Sequence, residues 1–114
     1  MRSNLRKCKN LINLHIDSKS DPSYFGYPII LTENINREEF QIFLNNAKID
    51  TRNLFAGNLT KQPYFEKLKY KVSSSLDNTD YIMKNVFWLG VHPSLTIDNI
   101  DYISKKIIEF LGEK

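Results

Sequence analysis

The sequence predicts one small α+β domain, a two-layer α/β arrangement in which helices pack on one face of a small sheet. Three observations support this fold class. The chain has 114 residues, the size of a single domain. Hydrophobic residues make up 41% and charged residues 25%, as in ordinary globular proteins. Apolar patterns of strand and helix type follow one another as strand, helix, strand, long loop, helix, strand, helix, and neither an internal repeat nor a second domain is visible.

The N-terminal part of the chain carries no clear hydrophobic period. Residues 1–20 are therefore expected to be a poorly ordered lead-in, and residues 21–114 to form the domain. The first strand is predicted at residues 24–32, a run of aromatic and β-branched side chains. Pro28 lies within this run and cannot donate a ladder hydrogen bond, so we expect the strand to lie at a sheet edge or to carry a bulge.

Residues 34–48 give the clearest helical pattern. Asn36 is suited to cap the helix, and Glu39 follows three residues later, as in a capping box. Apolar side chains then recur at helical spacing, which predicts a stripe that packs on the core. The alternative is that this stripe forms a groove for a partner. Its members are Phe40, Phe43, Leu44 and Ala47.

The middle of the chain contains a short strand, a long loop and a short helix. The strand is predicted at residues 49–55, and residues 56–77 are expected to be mostly irregular. Loops of this length are usually functional or disordered. Residues 78–85 are predicted to be helical, with Asn78 or Thr79 as the cap.

The C-terminal third contains a strand and the last helix. Residues 86–91 are continuously apolar and predict a buried strand. Thr96 is suited to cap the final helix, and Gly112 to end it. The buried stripe of this helix is predicted to consist of Ile100, Ile103, Ile107 and Leu111, broadened by Ile108 and Phe110.

The stretch at residues 50–65 is the best candidate for a ligand-binding loop. It combines a cation, amides and aromatic rings around a glycine, and binding residues concentrate on loops that rigid elements hold in place. The guanidinium of Arg52 can bind a carboxylate or phosphate through two hydrogen bonds. The alternatives are a polar surface connection and, for Arg52, a surface ion pair with Asp50. The side chains suited to orient a polar ligand are Arg52, Asn58, Gln62 and Tyr64.

The residues needed for self-contained catalysis are missing from the pattern. The four glycines are scattered, the single cysteine is Cys8, and the two histidines have no metal-ligand spacing. His92 follows a strand, where it could reach the edge of a site or serve only as a strand-end histidine. We therefore expect no catalytic residue and no metal site on this chain.

Charge and hydropathy limit the partners. The net charge is +3, but basic and acidic residues are interleaved and form no basic stripe, which disfavours nucleic acid. No apolar run approaches the roughly 20 residues of a membrane span. A single cysteine favours a reducing compartment, so we expect a cytoplasmic protein.

Three segments carry a resemblance to a known family. They are FGYPIILT, NREEFQIFLNNAKIDTRNLFAGNLTKQPYF and NTDYIMKNVFWLGVHPSLTIDNIDYISKKIIEFL. Residues 21–111 resemble the C-terminal small domain of the DegT/DnrJ/EryC1/StrS sugar aminotransferases. Within that family the chain is most similar to the CDP-4-keto-6-deoxy-glucose 3-dehydrase branch of lipopolysaccharide O-antigen and dideoxysugar synthesis. TRNLFAGNLTKQP is its most specific motif, followed by FWLGVHPSLT.

The resemblance implies a fold-type I enzyme that uses pyridoxal or pyridoxamine phosphate. In such enzymes a large N-terminal domain holds the cofactor and the catalytic lysine or, in the dehydratase branch, a histidine and a [2Fe–2S] cluster. Cys8 lacks the partner cysteines of that cluster. The chain is therefore expected to be a C-terminal fragment or shortened gene product that binds no cofactor alone and is inactive by itself.

The resemblance also places the loop from Arg52 to Asn58 in the active-site cleft, where it would help to hold a nucleotide-linked sugar. The substrate-binding candidates it implies are Arg52, Phe55, Asn58 and His92. The alternative is a free-standing binding module that keeps the fold, and that docks on a full-length relative or on a cofactor-binding domain, or forms a homodimer.

Overall fold

The computed structural model describes residues 1–112; the last two residues of the expected domain, 113 and 114, lie outside the described part. Within residues 1–112, four helices and three strands alternate, and the predicted order of the last six elements is confirmed. Two short 3₁₀ turns, Leu59–Lys61 and Phe65–Lys67, interrupt the long loop. The elements are α1 (Arg2–Leu5), β1 (Gly26–Ile30), α2 (Arg37–Asn46), β2 (Thr51–Asn53), α3 (Asp77–Asn85), β3 (Val86–Gly90) and α4 (Ile97–Leu111).

The three strands form one antiparallel sheet in the order β1-β3-β2. The apolar strand β3 therefore lies in the centre, and β1 lies at an edge. Pro28 is in β1, opposite Trp88, which confirms the predicted edge position. On the other side of β3, Thr51 is opposite Leu89 and Arg52 is opposite Trp88.

The sheet has an inner face that packs against α2 and α4. Opposed residues of an antiparallel pair point to the same face, so Ile29 and Phe87 share the inner face. Phe40 of α2 is fully buried. Its ring meets Phe87 edge-on at 5.6 Å and stacks on Phe110 of α4 at 4.6 Å. The two-layer α+β fold is confirmed, and the stripe of α2 is core rather than a partner groove.

Helix α2 begins as predicted. The side-chain oxygen of Asn36 accepts hydrogen bonds from the backbone N–H groups of Glu38 (3.0 Å) and Glu39 (3.3 Å). Its side-chain amide donates to Glu39 at 3.1 Å. Two of the orphan N–H groups at the helix start are thus satisfied by the cap.

Helix α4 also begins where the sequence predicts. Thr96 Oγ1 accepts from the backbone N–H of Asn99 at 3.2 Å, and Asn99 Oδ1 accepts from the backbone N–H of Thr96 at 3.0 Å. Of the predicted stripe, Ile107 and Leu111 are fully buried, while Ile108 is 40% exposed. The buried Ser104 replaces one apolar position, and its hydroxyl donates to the carbonyl of Ile100 at 2.7 Å.

The start of α3 differs from the prediction. The helix begins at Asp77 after Leu76, and no side chain at the cap position makes a capping hydrogen bond. Asn78 and Thr79 therefore lie inside the first turn, so both predicted caps are wrong. Ser75 explains the difference, because its hydroxyl accepts from the backbone N–H of Asp77 at 3.2 Å.

The first part of the expected lead-in is ordered by contacts with the domain. Leu5 of α1 is 2% exposed and belongs to the core cluster. The side-chain amide of Asn10 donates to the carbonyl of Leu111 at 3.0 Å, and Leu11 forms a bridge with Leu31. This stretch therefore packs on the domain, and the order of the lead-in as a whole stays a prediction. Isolated apolar residues hold it by tertiary packing, which leaves no period in the sequence.

Candidate functional site

The loop after β2 starts with a strained turn. Phe55 has φ of 49° and Gly57 has φ of 65°, both in the left-handed region. This region is unfavourable for a bulky residue and costs on the order of 1–3 kcal/mol. A Cβ on Gly57 would lie 2.6 Å from Cγ of Met83. The turn therefore requires glycine at residue 57, and it holds the Phe55 ring outward, 80% exposed.

Asn58 is the internal support of this turn. It is 2% exposed. Its side-chain oxygen accepts from the backbone N–H and the hydroxyl of Thr60, at 3.0 and 2.7 Å. Its side-chain amide donates to Asp80 Oδ1 at 2.6 Å. Asn58 thus holds the loop shape from beneath and does not face the solvent side of the loop.

An ion pair extends this support to α3. Lys61 Nζ lies 2.8 Å from Asp80 Oδ2. The hydrogen bond from Lys61, and after it the one from Asn58, lowers the pKa of the Asp80 carboxyl below its ordinary value. Gln62 closes the loop by donating to the carbonyl of Ala56 at 2.7 Å. The local sequence pattern does not indicate this contact between Asp80 and Asn58, because the two residues are 22 positions apart in the chain.

Three aromatic rings lie together on the side of the sheet opposite the core. Trp88 points to this outer face, and its neighbours Phe25 and Phe55 have ring centroids 4.9 and 6.0 Å from it, each tilted by 32°. Phe25 is 79% exposed. We call the three rings the aromatic face. Sequence reasoning missed Phe25 and Trp88, since only the strand register shows that they meet the loop.

Trp88 lies flat against the strands. A Cβ on Gly26 would fall 1.5 Å from Cε3 of the indole, so glycine is needed for the ring to cross β1. The indole N–H donates to the carbonyl of Asn53 in β2 at 3.1 Å. The ring therefore spans the sheet from one edge strand to the other, and its polar group is satisfied.

Arg52 lies beside the aromatic face, opposite Trp88 in the register. Its Nη2 is 3.1 Å from Asp50 Oδ2, and both side chains are more than 70% exposed. The alternative of a surface ion pair is thus confirmed. Such a pair contributes at most about 1 kcal/mol, so Asp50 is a partner that a stronger anion can displace.

His92 lies at the other end of the sheet. It follows the end of β3, whereas Phe55 and Asn58 follow the end of β2, and the two strands are antiparallel. Its Nδ1 lies 2.7 Å from Ser94 Oγ, at the rim of an open groove of about 780 Å³ that Lys48, Asp50 and Tyr102 also line. The structure thus places Arg52 and Phe55 each beside Trp88, buries Asn58 beneath the turn, and separates His92.

The described residues do not fit a pyridoxal phosphate site. Such a site needs a lysine or other reactive base, a carboxylate for the pyridine nitrogen and a phosphate cradle. The buried polar side chains within residues 1–112 are instead three asparagines and one serine: Asn10, Asn58, Asn85 and Ser104. None of these four side chains is a reactive base or a carboxylate.

The described residues also fit neither a metal centre nor a reactive thiol. Among them, no three His, Cys, Asp or Glu side chains are grouped to hold a metal ion. Burial raises the pKa of the Cys8 thiol, which keeps it protonated. Within the described part of the chain, no helix has the length and apolar character to cross a membrane.

The three-stranded antiparallel sheet with helices on one face matches part of solved enzymes of the aminotransferase fold. The chain belongs to the DegT/DnrJ/EryC1/StrS aminotransferase family, whose sequence pattern matches residues 1–108. The resemblance read from the three segments is thereby confirmed.

Two relatives narrow the similarity. The lipopolysaccharide biosynthesis protein RfbH of Salmonella typhimurium is 48% identical over 115 residues, which cover 98% of this chain and 26% of RfbH. The dTDP-4-dehydro-2,6-dideoxy-D-glucose 3-dehydratase of Saccharopolyspora spinosa is 38% identical over 96 residues, 82% of this chain and 21% of that enzyme. The chain thus spans about a quarter of the length of these relatives.

Solved structures agree with this placement. The E. coli GDP-4-keto-6-deoxy-D-mannose-3-dehydratase with bound hydrated PLP superposes with a TM-score of 0.75 at 25% identity, over 91% of this chain and 27% of the enzyme. A mutant of GDP-4-keto-6-deoxymannose-3-dehydratase with bound GDP-perosamine gives 0.76 at 25% identity, over 92% and 28%. An aminotransferase of the family from Brucella abortus gives 0.81 at 17% identity, over 97% and 28%, which supports the fold alone.

Proposed function

We propose that this chain serves as the small domain of a nucleotide-sugar 3-dehydratase in deoxysugar or O-antigen biosynthesis. In this role it supplies part of the wall of the sugar-nucleotide pocket and is not catalytic by itself. The supporting observation is the strained turn that holds Phe55 exposed, three residues after Arg52 in the chain. A connecting loop has no need for a bulky residue at positive φ, whereas strain of this kind clusters at ligand-binding sites.

The four candidate residues take different parts in this proposal. Arg52 binds the anionic part of the ligand through its exposed guanidinium, which exchanges Asp50 for a diphosphate oxygen. Phe55 gives the loop an apolar contact surface. Asn58 acts as a positioning residue, since its side chain holds the turn. His92 contacts the ligand or the adjoining protein from the opposite end of the sheet.

In this proposal, other parts of the assembled enzyme hold the cofactors of the family. Pyridoxal or pyridoxamine phosphate supplies the electron sink that such sugar chemistry needs, and the dehydratase branch adds a [2Fe–2S] cluster. We place the assembled enzyme in the cytoplasm, where a protein with one unpaired thiol is stable in reduced form.

A chimera tests this function. The part of RfbH that aligns with this chain is replaced by residues 1–114, and the purified protein is loaded with its cofactors. The proposal predicts consumption of a nucleotide-linked 4-keto-6-deoxy sugar. Arg52→Gln is expected to raise KM, while Arg6→Gln, at an exposed arginine of the N-terminal segment, leaves KM unchanged. A chimera that folds and binds its cofactors but consumes no nucleotide sugar would refute the proposal.

A second candidate is a free-standing interaction module. The exposed rings of Phe25 and Phe55 favour it, because neighbouring exposed apolar side chains often mark contact surfaces. Such a module would dock on a full-length relative or pair with a second copy. Sedimentation of the chain alone and mixed with RfbH distinguishes the two: a monomer that does not bind RfbH contradicts the module.

A further inference from the structure

We propose that the aromatic face formed by Phe25, Trp88 and Phe55 is the platform on which the nucleobase of the ligand stacks, with Arg52 at its diphosphate. This inference rests on the proposed function and names the part of the ligand that this surface binds. It assigns a binding role to Phe25 and Trp88, which neither the sequence patterns nor the family resemblance singled out.

The geometry of the three rings suits a stacked base. Phe25 precedes β1 and Phe55 follows β2, the two strands that flank β3 and its Trp88. Both rings are tilted by 32° from the indole plane. They are 79% and 80% exposed. Two rings with so much free surface, each tilted by 32° from the indole between them, present π-faces to solvent on which a planar heterocycle can stack.

Two of the three rings, Trp88 and Phe55, are fixed from behind. Gly26 lets the indole lie against the backbone of β1, and the indole N–H is bound to the carbonyl of Asn53. Phe55 is held by the turn that Asn58 supports. A preorganised surface loses little conformational entropy when a ligand stacks on it, which suits a binding platform better than a mobile apolar patch.

The position of the positive charge of Arg52 also suits a nucleotide. Arg52 is opposite Trp88 on the same face of the sheet, and its partner Asp50 is exposed. A base stacked on the rings therefore has the cation of Arg52 on the same face of the sheet, available to its phosphates. An aromatic surface with one adjacent arginine matches a nucleoside diphosphate better than a purely apolar partner.

A stacking surface can bind ligands with different bases. Stacking does not discriminate strongly among bases, because every base has a π-face. The relatives act on GDP-linked and dTDP-linked sugars, one with a purine and the other with a pyrimidine. A stacking platform accommodates both without a change in the hydrogen-bonding groups of this domain.

The single tryptophan of the chain gives a direct test. Its indole N–H produces one resonance in a ¹H–¹⁵N spectrum, which a stacked base shifts through its ring current. The isolated chain is titrated with GDP, dTDP and inorganic pyrophosphate into the millimolar range. We expect saturable shifts of the indole resonance with both nucleotides and no indole shift with pyrophosphate.

Variants locate the platform. Phe25→Leu and Phe55→Leu are each expected to weaken nucleotide binding about tenfold, the effect of losing one stacking ring. Tyr70→Leu is the matched control, since Tyr70 is 49% exposed and its ring packs on Phe65 rather than on the aromatic face. Its affinity for both nucleotides is expected to equal that of the unmodified chain. Thermal unfolding of each variant shows whether its fold is retained.

Several results would overturn the platform. One is an indole resonance that neither nucleotide moves, and another is an equal effect of the control and the two platform variants. Indole shifts that depend on protein concentration without nucleotide would show that a second copy occupies the face.

The RfbH chimera distinguishes a failure of the platform from a failure of the proposed function. Turnover with unchanged KM in the Phe25→Leu/Phe55→Leu variant removes the platform and leaves the function. If the isolated chain binds nucleotides but the chimera is inactive, the platform is retained and the proposed function is refuted.

Discussion

The two faces of the sheet use the same strands for different purposes. Side chains alternate along each strand, so Phe87 and Leu89 of β3 face the helices and Trp88 between them faces the other way. On the inner face, α2 and α4 cover Phe87 and Leu89, whose exposed fractions are 0% and 1%. On the outer face, Trp88 adjoins two exposed rings and an arginine. The inner face accounts for stability, and the outer face is available for a ligand.

The largest expected effect is on the inner face. Phe40→Ala removes a fully buried ring that contacts Phe87 and Phe110. Such a truncation destabilises a protein by about 3–5 kcal/mol. Phe25→Ala on the outer face is expected to change the free energy of unfolding by less than about 0.5 kcal/mol. Urea denaturation of both variants measures the contrast, and similar losses would contradict the division between the faces.

The next effect concerns the support of the outer face. Asn58→Ala leaves the N–H and hydroxyl of Thr60 without their acceptor and removes a donor from Asp80. Losing these partners at a buried position costs about 1–3 kcal/mol. Asn46→Ala, at an exposed position at the end of α2, serves as the control and is expected to be neutral. Denaturation curves give both values, and a neutral Asn58→Ala would show that the loop is held by other contacts.

The strained turn gives a slightly smaller effect. Gly57→Ala places a Cβ against Met83 at a φ of 65°, which costs about 1–2 kcal/mol for the left-handed conformation alone. Gly90→Ala is the matched control, because a Cβ on Gly90 would have no atom within 4 Å. The difference in melting temperature between the two variants checks this expectation. Equal melting temperatures would mean that the turn relaxes without cost.

The smallest effect is the pH dependence contributed by Asp80. Hydrogen bonds from Lys61 and Asn58 lower the pKa of its carboxyl below the ordinary value of 3.8. A lowered pKa in the folded state stabilises the protein above the unfolded pKa, and this contribution is lost as the pH falls through the folded value. Asp80→Asn should therefore be less stable than the unmodified chain at neutral pH, with a difference that shrinks in acid below 3.8. Urea denaturation across this pH range measures it, and a constant difference would exclude the ionised carboxylate as its cause.

The sequence is informative where structure depends on neighbouring residues. The caps Asn36 and Thr96 and the stripe of α2 each follow from a few adjacent positions, and all three are confirmed. The edge position of β1 followed from Pro28 alone. These features involve contacts within one helical turn or one strand, so local spacing is enough to predict them.

The remainder depends on contacts between distant parts of the chain. The aromatic face brings Phe25, Phe55 and Trp88 together only through the order and register of three strands. Leu5 reaches the core across most of the chain length without a periodic pattern around it. Asn58 is of a residue type suited to bind a polar ligand. Only its burial and its hydrogen bond to Asp80 show that it supports the loop.

The most direct test of the account is the KM of the RfbH chimera for its nucleotide sugar. The account predicts that Arg52→Gln and Phe55→Leu each raise KM about tenfold with kcat little changed, since both residues bind the ligand without taking part in the chemical step. A KM that stays the same in both variants, in a chimera that turns over its substrate, would contradict it.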